Sequence, residues 1–472
     1  MVFYLPQLVQ ILRNDVGGRI AATLMSMANR SDLFAHQLIW ALKTEERPPE
    51  EAFNPTVKRS GWAPPQDVGL WDISGKLRKQ VESSLPPASK EYWEAEDGYF
   101  QRVTGISGVL YKYEKEERKL RCMEELEKFQ VDRSDLYVPT NPDCRVVAHI
   151  PKSGTPMQSA AKVPILVAFE VVRGQAMTGR KQPQDNDDGA CVAAPDAPDV
   201  SPPPPQPTSK LACIFKVGDD CRQDVLALQV VSLLKSAFVD AGLGLYLAPY
   251  GCIPTGYECG IIEVVPNCQS RAGLGELSDR GLYEIFQSQF GAVGSPSFEA
   301  ARHNFVISEA GYAIASFLLQ AKDRHNGNIL IDDKGHLVHI DFGFILEISP
   351  GGNMGFESAA FKLSHEMTQL LDPGRTRQSA HFKMFEQLCI RGYLAARTVA
   401  EPIIATVALM ADSGLPCFSR GQPIPNLRKR FNLDMSERQA AFFMRNTIAD
   451  AYDKWTTGVY DVIQNMQNRI PY

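Results

Sequence analysis

The chain has 472 residues, which is enough for about two or three packed units. Its 44% hydrophobic and 22% charged residues are typical of a globular protein. A formal net charge of -6 argues against a general nucleic-acid binder, which needs a basic surface, so no nucleic-acid partner is expected. The ten cysteines form no CxxC pair, which favours free thiols in a reducing, cytosolic compartment over disulfides or a zinc site.

The chain begins with two stretches of apolar residues at helical spacing, which predict two amphipathic helices within residues 1–43. Ser31 or Asp32 is expected to cap the second helix. We interpret residues 1–45 as the end of a longer helical array. Residues 1–14 lack the basic start of a signal peptide, and no apolar run reaches about 18 residues, so any membrane contact would be peripheral.

Prolines mark the stretch that follows. Residues 44–90 are rich in proline, which predicts a linker or an irregular cover. A helix with alternating charges is expected over about 112–129, with the pattern of a solvated face. We assign 46–145 as a whole to a linker and N-terminal cover of the domain behind it.

Two stretches rich in Val, Ile and Phe, 164–172 and 211–217, predict strands. Between them, residues 175–210 are low in complexity and rich in proline and aspartate, so a flexible insert is expected there. An insert between two adjacent strands belongs at the tip of a hairpin, where added length costs little conformational entropy.

Helical and strand-like segments alternate from 217 to 344, and 363–467 is mostly helical. The richest apolar stretch, 306–319, is interrupted by Ser308 and Glu309 and predicts a buried helix. The predicted fold class is therefore α+β, with a strand-rich N-terminal lobe over 146–265 and a helical C-terminal lobe over 266–472. Such an order places a cleft between a small lobe and a larger one.

The sequence Asp-Arg-His-Asn-Gly-Asn at 323–328 has residue types that phosphoryl transfer requires. Asp323 or His325 suits the position beside an attacking hydroxyl, and Asn328 supplies an oxygen for a magnesium ion. Asp341, at the end of an apolar strand, would be the second metal ligand. The intervening Asp-Asp-Lys-Gly predicts a hairpin turn that brings both ligands to one end of a sheet.

Lys216 ends a predicted strand, and Asp224 lies eight residues later, near the start of a helix. A lysine that points into the cleft neutralises ATP phosphates, and a carboxylate opposite holds its ammonium group. The plain alternative is a surface ion pair of little energetic value. The order of Lys216, Asp323, Asn328 and Asp341 favours the kinase interpretation over this alternative.

The stretch 215–224, with Gln229, resembles the first signature of the phosphoinositide 3-/4-kinase family. Residues 316–328 resemble its second signature, although Ala321 replaces the bulkier apolar residue usual there. The similarity is greatest to the type III alpha phosphatidylinositol 4-kinases, whose patterns match 153–162, 260–265, 349–353 and 412–418. The resemblance implies a two-lobed kinase catalytic domain, preceded by the end of the family's helical accessory domain.

The resemblance also implies functions for individual residues. The stretch 153–162 would cover the phosphates, the Glu263 and Val265 backbone would meet adenine, and Tyr250 would lie against the Asp224 carboxylate. The expected catalytic residues are Asp323, Arg324 and His325, and the expected metal ligands are Asn328 and Asp341. The expected ATP-binding residues are Lys216, Asp224, Tyr250, Glu263, Val265, Ile340, Ser159 and Lys162. The expected substrate-loop residues, within an activation loop at 341–366, are Gly343, Ser349, Gly351, Gly352, Asn353 and Lys362.

The charges of the activation loop indicate the lipid substrate. Enzymes that act on phosphorylated inositol lipids need cations there, but residues 344–363 carry only Glu347, Glu357 and Lys362. We therefore expect unphosphorylated phosphatidylinositol as the substrate. The residues do not choose between its 3- and 4-hydroxyl groups, whereas the resemblance implies position 4.

Near the C-terminus, Trp455, Val459, Ile463 and Met466 fall on one stripe of a helix expected over about 448–470. The stripe either helps to hold the lobe at a bilayer or packs on the lobe itself. The basic run 428–430 would touch anionic headgroups or be a solvated face.

The predicted function is thus a lipid kinase that uses ATP with Mg²⁺, or alternatively Mn²⁺, to make phosphatidylinositol 4-phosphate. It would act in the cytoplasm, peripherally at the plasma membrane or an endomembrane, with adaptor or scaffold proteins as partners of a full-length member. Two alternatives stay open: a protein kinase of the phosphoinositide-kinase-like group, and a silent or truncated fragment that acts as a binding module.

Overall fold

The computed structural model describes the chain as two compact units. The first consists of Met1–Asp220 and Gly251–Val264, and the second of Cys221–Tyr250 and Val265–Tyr472. No helix among the described residues is both long and apolar enough to cross a bilayer. The described residues are 2–48, 50, 69–157, 162–174, 207–277, 281–350 and 359–453.

The first unit opens with helices. They are α1 (Leu5–Ile11), α2 (Arg19–Ala28), α3 (Asp32–Thr44), α4 (Trp71–Ser84), α5 (Pro87–Leu110) and α6 (Arg118–Glu127). Three α-helices form before residue 45, not the two predicted, because Gly18 with φ 65° starts α2 after a break. Ser31 caps α3, since its hydroxyl accepts a hydrogen bond from the Phe34 amide at 3.3 Å.

The prediction of irregular structure over 44–90 was wrong for residues 71–84. Proline is absent from that stretch, and Ser74, Leu77 and Val81 form the buried face of α4. The charged helix is shorter than predicted, because α6 covers only Arg118–Glu127. The long helix α5 was not predicted.

An antiparallel sheet follows in the same unit. Among the described residues its order is β1-β2-β4-β5-β7-β6, with β3 on β4. The strands are β1 (Tyr137–Val138), β2 (Asn141–His149), β3 (Thr155–Pro156), β4 (Ile165–Arg173), β5 (Thr208–Val217), β6 (Cys252–Gly256) and β7 (Cys259–Glu263).

The two strands predicted on either side of the insert are confirmed as neighbours. β4 and β5 pair antiparallel from Ile165 opposite Phe215 to Val172 opposite Thr208. Residues 208–210, assigned to the insert from the sequence, belong to β5. Residues 175–206, which were expected to be flexible, lie outside the described residues.

One hydrophobic core joins the N-terminal helices to this sheet. Trp40 of α3, Phe100 of α5, and Phe169 and Phe215 of the sheet are all almost fully buried in it. The Phe100 ring lies 6.2 Å from the Phe169 ring and 6.3 Å from the Phe215 ring. The helices before residue 45 therefore share a core with the strands.

The second unit is mainly helical, so the predicted α+β class is confirmed. Its helices are α7 (Arg222–Asp240), α8 (Arg271–Leu277), α9 (Leu282–Phe290), α10 (Pro296–Leu319), α11 (His365–Leu371), α12 (Ala380–Thr398), α13 (Ala400–Ala408), α14 (Pro423–Phe431) and α15 (Glu437–Asp453). Its described strands are β8 (Cys268–Ser270), β9 (Ile329–Asp332) and β10 (Leu337–His339), in the order β10-β9-β8.

The buried helix predicted over 306–319 is the second half of α10. The predicted β9–β10 hairpin is also confirmed, with Ile331 opposite Leu337. Asp332 Oδ1 accepts hydrogen bonds from the amides of Lys334 and His336 at 2.9 and 2.8 Å, which holds the turn.

The basic run on α14 is not a uniform solvated face. Arg428 is exposed but binds Glu401, with 2.7 Å between Nη2 and Oε2. Arg430 is largely buried, and its Nε donates to the Leu318 carbonyl at 2.8 Å. Burial lowers the pKa of Arg430 to about 10. Lys429, between them, is exposed.

The C-terminal helix begins earlier than expected, because α15 runs from Glu437 to Asp453. The stripe of Trp455, Val459, Ile463 and Met466 lies outside the described residues.

Candidate active site

The loop after α10 carries the first group of predicted catalytic residues. The helix ends at Leu319, the capping residue Gln320 has a left-handed backbone with φ 49°, and Asp323 has φ 60°. The Lys322 amide donates to the Phe344 carbonyl at 2.9 Å, which fixes this loop beside the segment that follows Gly343. A non-glycine residue rarely adopts such a backbone, and those that do are concentrated at functional sites.

His325 has a defined orientation within the loop. Its Nδ1 accepts a hydrogen bond from the Gly327 amide at 3.0 Å, and its Nε2 lies 3.9 Å from Asp323 Oδ2. A Cβ atom on residue 327 would lie 2.8 Å from the His325 ring, so the glycine leaves the space that the ring occupies. In the neutral ring the proton is therefore on Nε2, facing the Asp323 carboxylate.

Asn328 and Asp341 lie at the same end of the β9–β10 hairpin, as the sequence predicted. Asn328 precedes β9, and its carbonyl accepts from the Ile340 amide at 3.1 Å. The buried Asn328 side chain donates from Nδ2 to the Asp323 carbonyl at 3.0 Å. That bond uses the amide nitrogen and leaves the amide oxygen as the ligating atom.

Asp341 follows β10 with φ 60° and an exposed side chain. Its Oδ1 accepts from the Gly343 amide at 3.1 Å, and its own amide donates to the Tyr250 hydroxyl at 3.3 Å. The buried Asp224 accepts from the Phe342 amide at 2.8 Å. Tyr250 and Asp224 therefore hold neighbouring amides of the segment that contains Asp341.

Arg324 links the catalytic loop to β10. It is buried, and its guanidinium donates to the carbonyls of Lys322 at 2.9 Å and Ile340 at 2.7 Å. A further bond reaches the Asp341 carbonyl, and the guanidinium lies 5.4 Å from the centre of the Phe342 ring. Arg324 therefore ties the loop at 322 to the backbone of residues 340 and 341.

The residues expected to bind ATP in the first unit lie on the sheet. Lys216 is the penultimate residue of β5, opposite Gly260 of β7, and its Nζ lies 3.4 Å from Asp219 Oδ2. Glu263 ends β7, and its amide donates to the Gly251 carbonyl at 2.8 Å. Burial raises the pKa of the Glu263 carboxyl.

The structure says less about three other residues that were expected to bind ATP. Lys162 is exposed in the loop before β4. Ser159 lies outside the described residues. Val265 is half-buried and is the first residue of the segment Val265–Tyr472 of the second unit.

Lys362, the expected cation of the substrate loop, is 7% exposed. It lies close enough to Glu309 of α10 to oppose the rise in pKa of that carboxyl, which burial raises to about 8. Glu347 in turn accepts from the Asn426 side-chain amide at 3.0 Å. Ser349 is half-buried, whereas Gly351, Gly352 and Asn353 lie outside the described residues.

Comparison with known proteins identifies the family. The sequence model described as "Phosphatidylinositol 3- and 4-kinase" matches residues 210–420. Phosphatidylinositol 4-kinase alpha 2 of Arabidopsis thaliana is 51% identical over 447 residues, which cover 95% of this chain and 77% of that protein. The chain belongs to the phosphatidylinositol 3- and 4-kinase family.

Two further relatives extend over the whole chain. Phosphatidylinositol 4-kinase alpha 1 of Arabidopsis thaliana is 52% identical, and phosphatidylinositol 4-kinase STT4 of Saccharomyces cerevisiae is 40% identical. Each match covers 100% of this chain but only 21% and 23% of the respective relative, so the chain spans about a fifth of their length. The resemblance to the alpha-type 4-kinases that the motifs indicated is confirmed, and with it the two-lobed kinase fold.

The structure adds functional detail that sequence reasoning missed. Gln223 was noted only as part of a signature, yet it contacts the carbonyls of Phe342 and Gly343. Gly327 lies between two predicted site residues and had no predicted function, although it leaves space for the His325 ring. The position of Gly327 within the Asp-Arg-His-Asn-Gly-Asn motif was a sequence signal that it matters. The residues around Gln223 in the sequence gave no such signal for its hydrogen-bond partners.

Proposed function

We propose that this chain is the catalytic portion of a lipid kinase that transfers the γ-phosphoryl group of ATP to the 4-hydroxyl of phosphatidylinositol. The observation that carries the proposal is the cluster of Asp323, Asn328 and Asp341 at one end of the β9–β10 hairpin. The relatives are named as phosphatidylinositol 4-kinases, which supports the lipid substrate and the position.

The donor atoms at the hairpin fit Mg²⁺ chemically. The Asn328 amide oxygen and the Asp341 carboxylate are hard oxygen ligands, which Mg²⁺ prefers, with Mn²⁺ as the alternative. When bound, the ion would neutralise charge on the β- and γ-phosphates. Lys216 would supply further positive charge to the phosphates, with Ser159 and Lys162 in the covering loop. Ile340 and the Glu263 and Val265 backbone would contact adenine.

Proton transfer favours Asp323 as the acceptor. The lone pair of His325 Nδ1 is used by the Gly327 amide, so the neutral ring presents a proton at Nε2. In the reaction, the inositol oxygen bonds to the γ-phosphorus while the bond to the β–γ bridging oxygen breaks, which releases ADP. The hydroxyl proton then passes to the Asp323 carboxylate, and His325 donates a hydrogen bond to the developing charge.

The buried Lys362 supports an unphosphorylated lipid. Lys362, the cation that the activation loop contributes at 344–363, is 7% exposed, so it is poorly placed to bind extra phosphate groups. Unphosphorylated phosphatidylinositol then fits better than its phosphorylated forms. We place the activity peripherally at the plasma membrane or an endomembrane, with adaptor proteins as partners of longer members.

The test is transfer of labelled phosphate from Mg-ATP to phosphatidylinositol vesicles, with the position of the product's phosphate identified. Asp341→Asn is expected to abolish the product while it keeps the left-handed backbone, which asparagine tolerates. Asp333→Asn, the same change at the exposed turn of the same hairpin, is the matched control and should keep full activity.

The alternatives give different results in that assay. Phosphorylation of a peptide in preference to the lipid would identify a protein kinase of the related group. An ATP-binding chain that phosphorylates neither substrate would be a binding module. Product at position 3 would overturn the proposed position.

A further inference from the structure

The backbone of residues 341–343 has a hydrogen-bond partner for every polar group. The three amides donate to the Tyr250 hydroxyl, to Asp224 Oδ1 and to Asp341 Oδ1. The first carbonyl accepts from Arg324. The remaining two carbonyls, of Phe342 and Gly343, accept from one side chain, that of Gln223.

Gln223 uses both its side-chain nitrogen and its side-chain oxygen in hydrogen bonds to the backbone. It is 3% exposed at the second position of α7, and its Nε2 donates to Phe342 O at 3.0 Å and to Gly343 O at 2.6 Å. Its Oε1 accepts from the Cys417 amide at 3.0 Å. A side-chain amide has two N–H groups and one oxygen, so a single residue joins the Asp341 segment to a loop near the C-terminus.

That loop, residues 412–418, matched the family pattern but had no predicted function. The Cys417 amide lies in the short 3₁₀ helix Pro416–Phe418. Arg222, next to Gln223, donates to the Ser413 carbonyl at 3.3 Å. The start of α7 therefore contacts the loop through two adjacent side chains, and Cys417 is buried.

We propose that Gln223 is a positioning residue for Asp341 and that loop 412–418 is its support. The consequence for catalysis rests on the proposed function of Asp341 as a metal ligand. Asp341 has φ 60°, which is costly for an L-residue and persists only when surrounding contacts hold it. Without the Gln223 donors, two carbonyls that follow Asp341 lose their partners, and the segment is free to leave this backbone conformation.

Two substitutions distinguish the hydrogen bonds that Gln223 donates from the one that it accepts. Gln223→Leu removes the donors and the acceptor, whereas Gln223→Glu removes the donors to Phe342 and Gly343 but keeps an acceptor for Cys417. Ser232→Ala is the matched control, because the Ser232 hydroxyl on the same helix donates to the Leu228 carbonyl in its own turn at 2.7 Å.

The first measurement is hydrogen–deuterium exchange in the full chain without nucleotide. Exchange over 341–346 should rise about tenfold in both Gln223 variants, as expected for loss of a buried hydrogen bond. Exchange over 415–418 should rise only in Gln223→Leu. Ser232→Ala should leave both segments unchanged. Unchanged exchange over 341–346 in Gln223→Glu would overturn the proposal, and this variant carries the test if Gln223→Leu fails to fold.

The second measurement is lipid phosphorylation as a function of Mg²⁺ concentration. Both Gln223 variants should need about tenfold more Mg²⁺ for half-maximal rate and have a lower kcat, with an unchanged KM for phosphatidylinositol. An unchanged Mg²⁺ requirement would show that Gln223 is structural only. If the unmodified chain makes no product, the proposed function fails, while the exchange pattern still decides whether Gln223 positions the segment.

Discussion

The left-handed backbone of Asp323 and Asp341 determines how their chemistry can be tested. Both have φ 60°, a conformation that asparagine adopts more readily than alanine. Alanine at either position would remove the carboxylate and also strain the loop. Asparagine removes the charge alone, which is why we choose it for the test of the metal ligand.

Gly327 offers a substitution that moves His325 without removing it. A Cβ atom would lie 2.8 Å from the ring Cε1, and the ring is the part that can give way. Gly327→Ala should therefore lower kcat at least about tenfold, because acid–base and hydrogen-bond catalysis depend on placement. The melting temperature should change little. Gly374→Ala, where the new Cβ meets only ordinary van der Waals contact, is the control. Normal activity of Gly327→Ala would contradict a catalytic function for the ring orientation.

Glu309 makes stability depend on pH. Burial raises the pKa of its carboxyl from 4.5 to about 8, so the folded chain keeps a proton that the unfolded chain releases. The stabilisation is complete below about pH 4.5 and is lost as pH rises through about 8. Between these values the unfolded state binds fewer protons, so the free energy of unfolding falls by at most about 1.4 kcal/mol per pH unit.

Glu309→Gln should remove this dependence, because glutamine resembles the protonated carboxyl. We expect the melting temperature of the variant to exceed that of the parent chain by more at pH 8 than at pH 6. Thermal unfolding of both chains across this range measures the difference. A constant difference would mean that Glu309 is ionised in the folded chain, paired with Lys362.

At the scale of elements, the β9–β10 hairpin is central because both expected metal ligands flank it. Its turn depends on Gly335, which has φ 89° and whose added Cβ would lie 2.7 Å from the Ala301 carbonyl oxygen. That contact is with the backbone of α10, which cannot move aside cheaply. The turn therefore has both a conformational and a steric need for glycine.

Gly335→Ala should destabilise the second unit by about 2–3 kcal/mol, since backbone strain and a clash add together. Gly294→Ala separates the two contributions, because Gly294 has nearly the same φ, 86°, but open space around its Cβ. This control should cost only about 1 kcal/mol. Denaturant unfolding compares the two variants. Equal losses would show that the contact with α10 has no energetic effect.

At the scale of the molecule, residues 2–44 contribute side chains to the hydrophobic core of the first unit. Trp40 and Leu38 of α3 are buried in the core that also contains Phe169 and Phe215 of the sheet. Burial of each large apolar side chain is worth about 1.5–3 kcal/mol. We therefore expect α1–α3 and the strands of the first unit to fold together.

A chain that starts at residue 46 should therefore lose the fold of the first unit. Hydrogen–deuterium exchange of β4 and β5 is the measurement, and their amides should exchange as in an unfolded chain. A chain that lacks only residues 1–4, whose described side chains are exposed, is the control and should keep protection. Protected β4 and β5 amides in the shorter chain would show that the sheet folds without the helices.

The sequence by itself determined the features that depend on local pattern. The strands β4 and β5, the buried helix α10 and the β9–β10 hairpin follow from residue periodicity and turn chemistry, which act over a few residues. The order of Asp323, Asn328 and Asp341 around the hairpin was predictable for the same reason. Helix α4 was not predicted, because prolines on both sides of 71–84 indicate irregular structure while the apolar spacing within it is typical of a helix.

Only the tertiary structure decided which distant groups meet. The bond from the Phe342 amide to Asp224 spans 118 residues, and that from the Cys417 amide to Gln223 spans 194. Lys362 lies in a loop segment, yet it is buried, and its charge opposes the rise in pKa of the Glu309 carboxyl of α10. Such pairings depend on how helices and strands pack, and packing sums many weak contacts that no local pattern encodes.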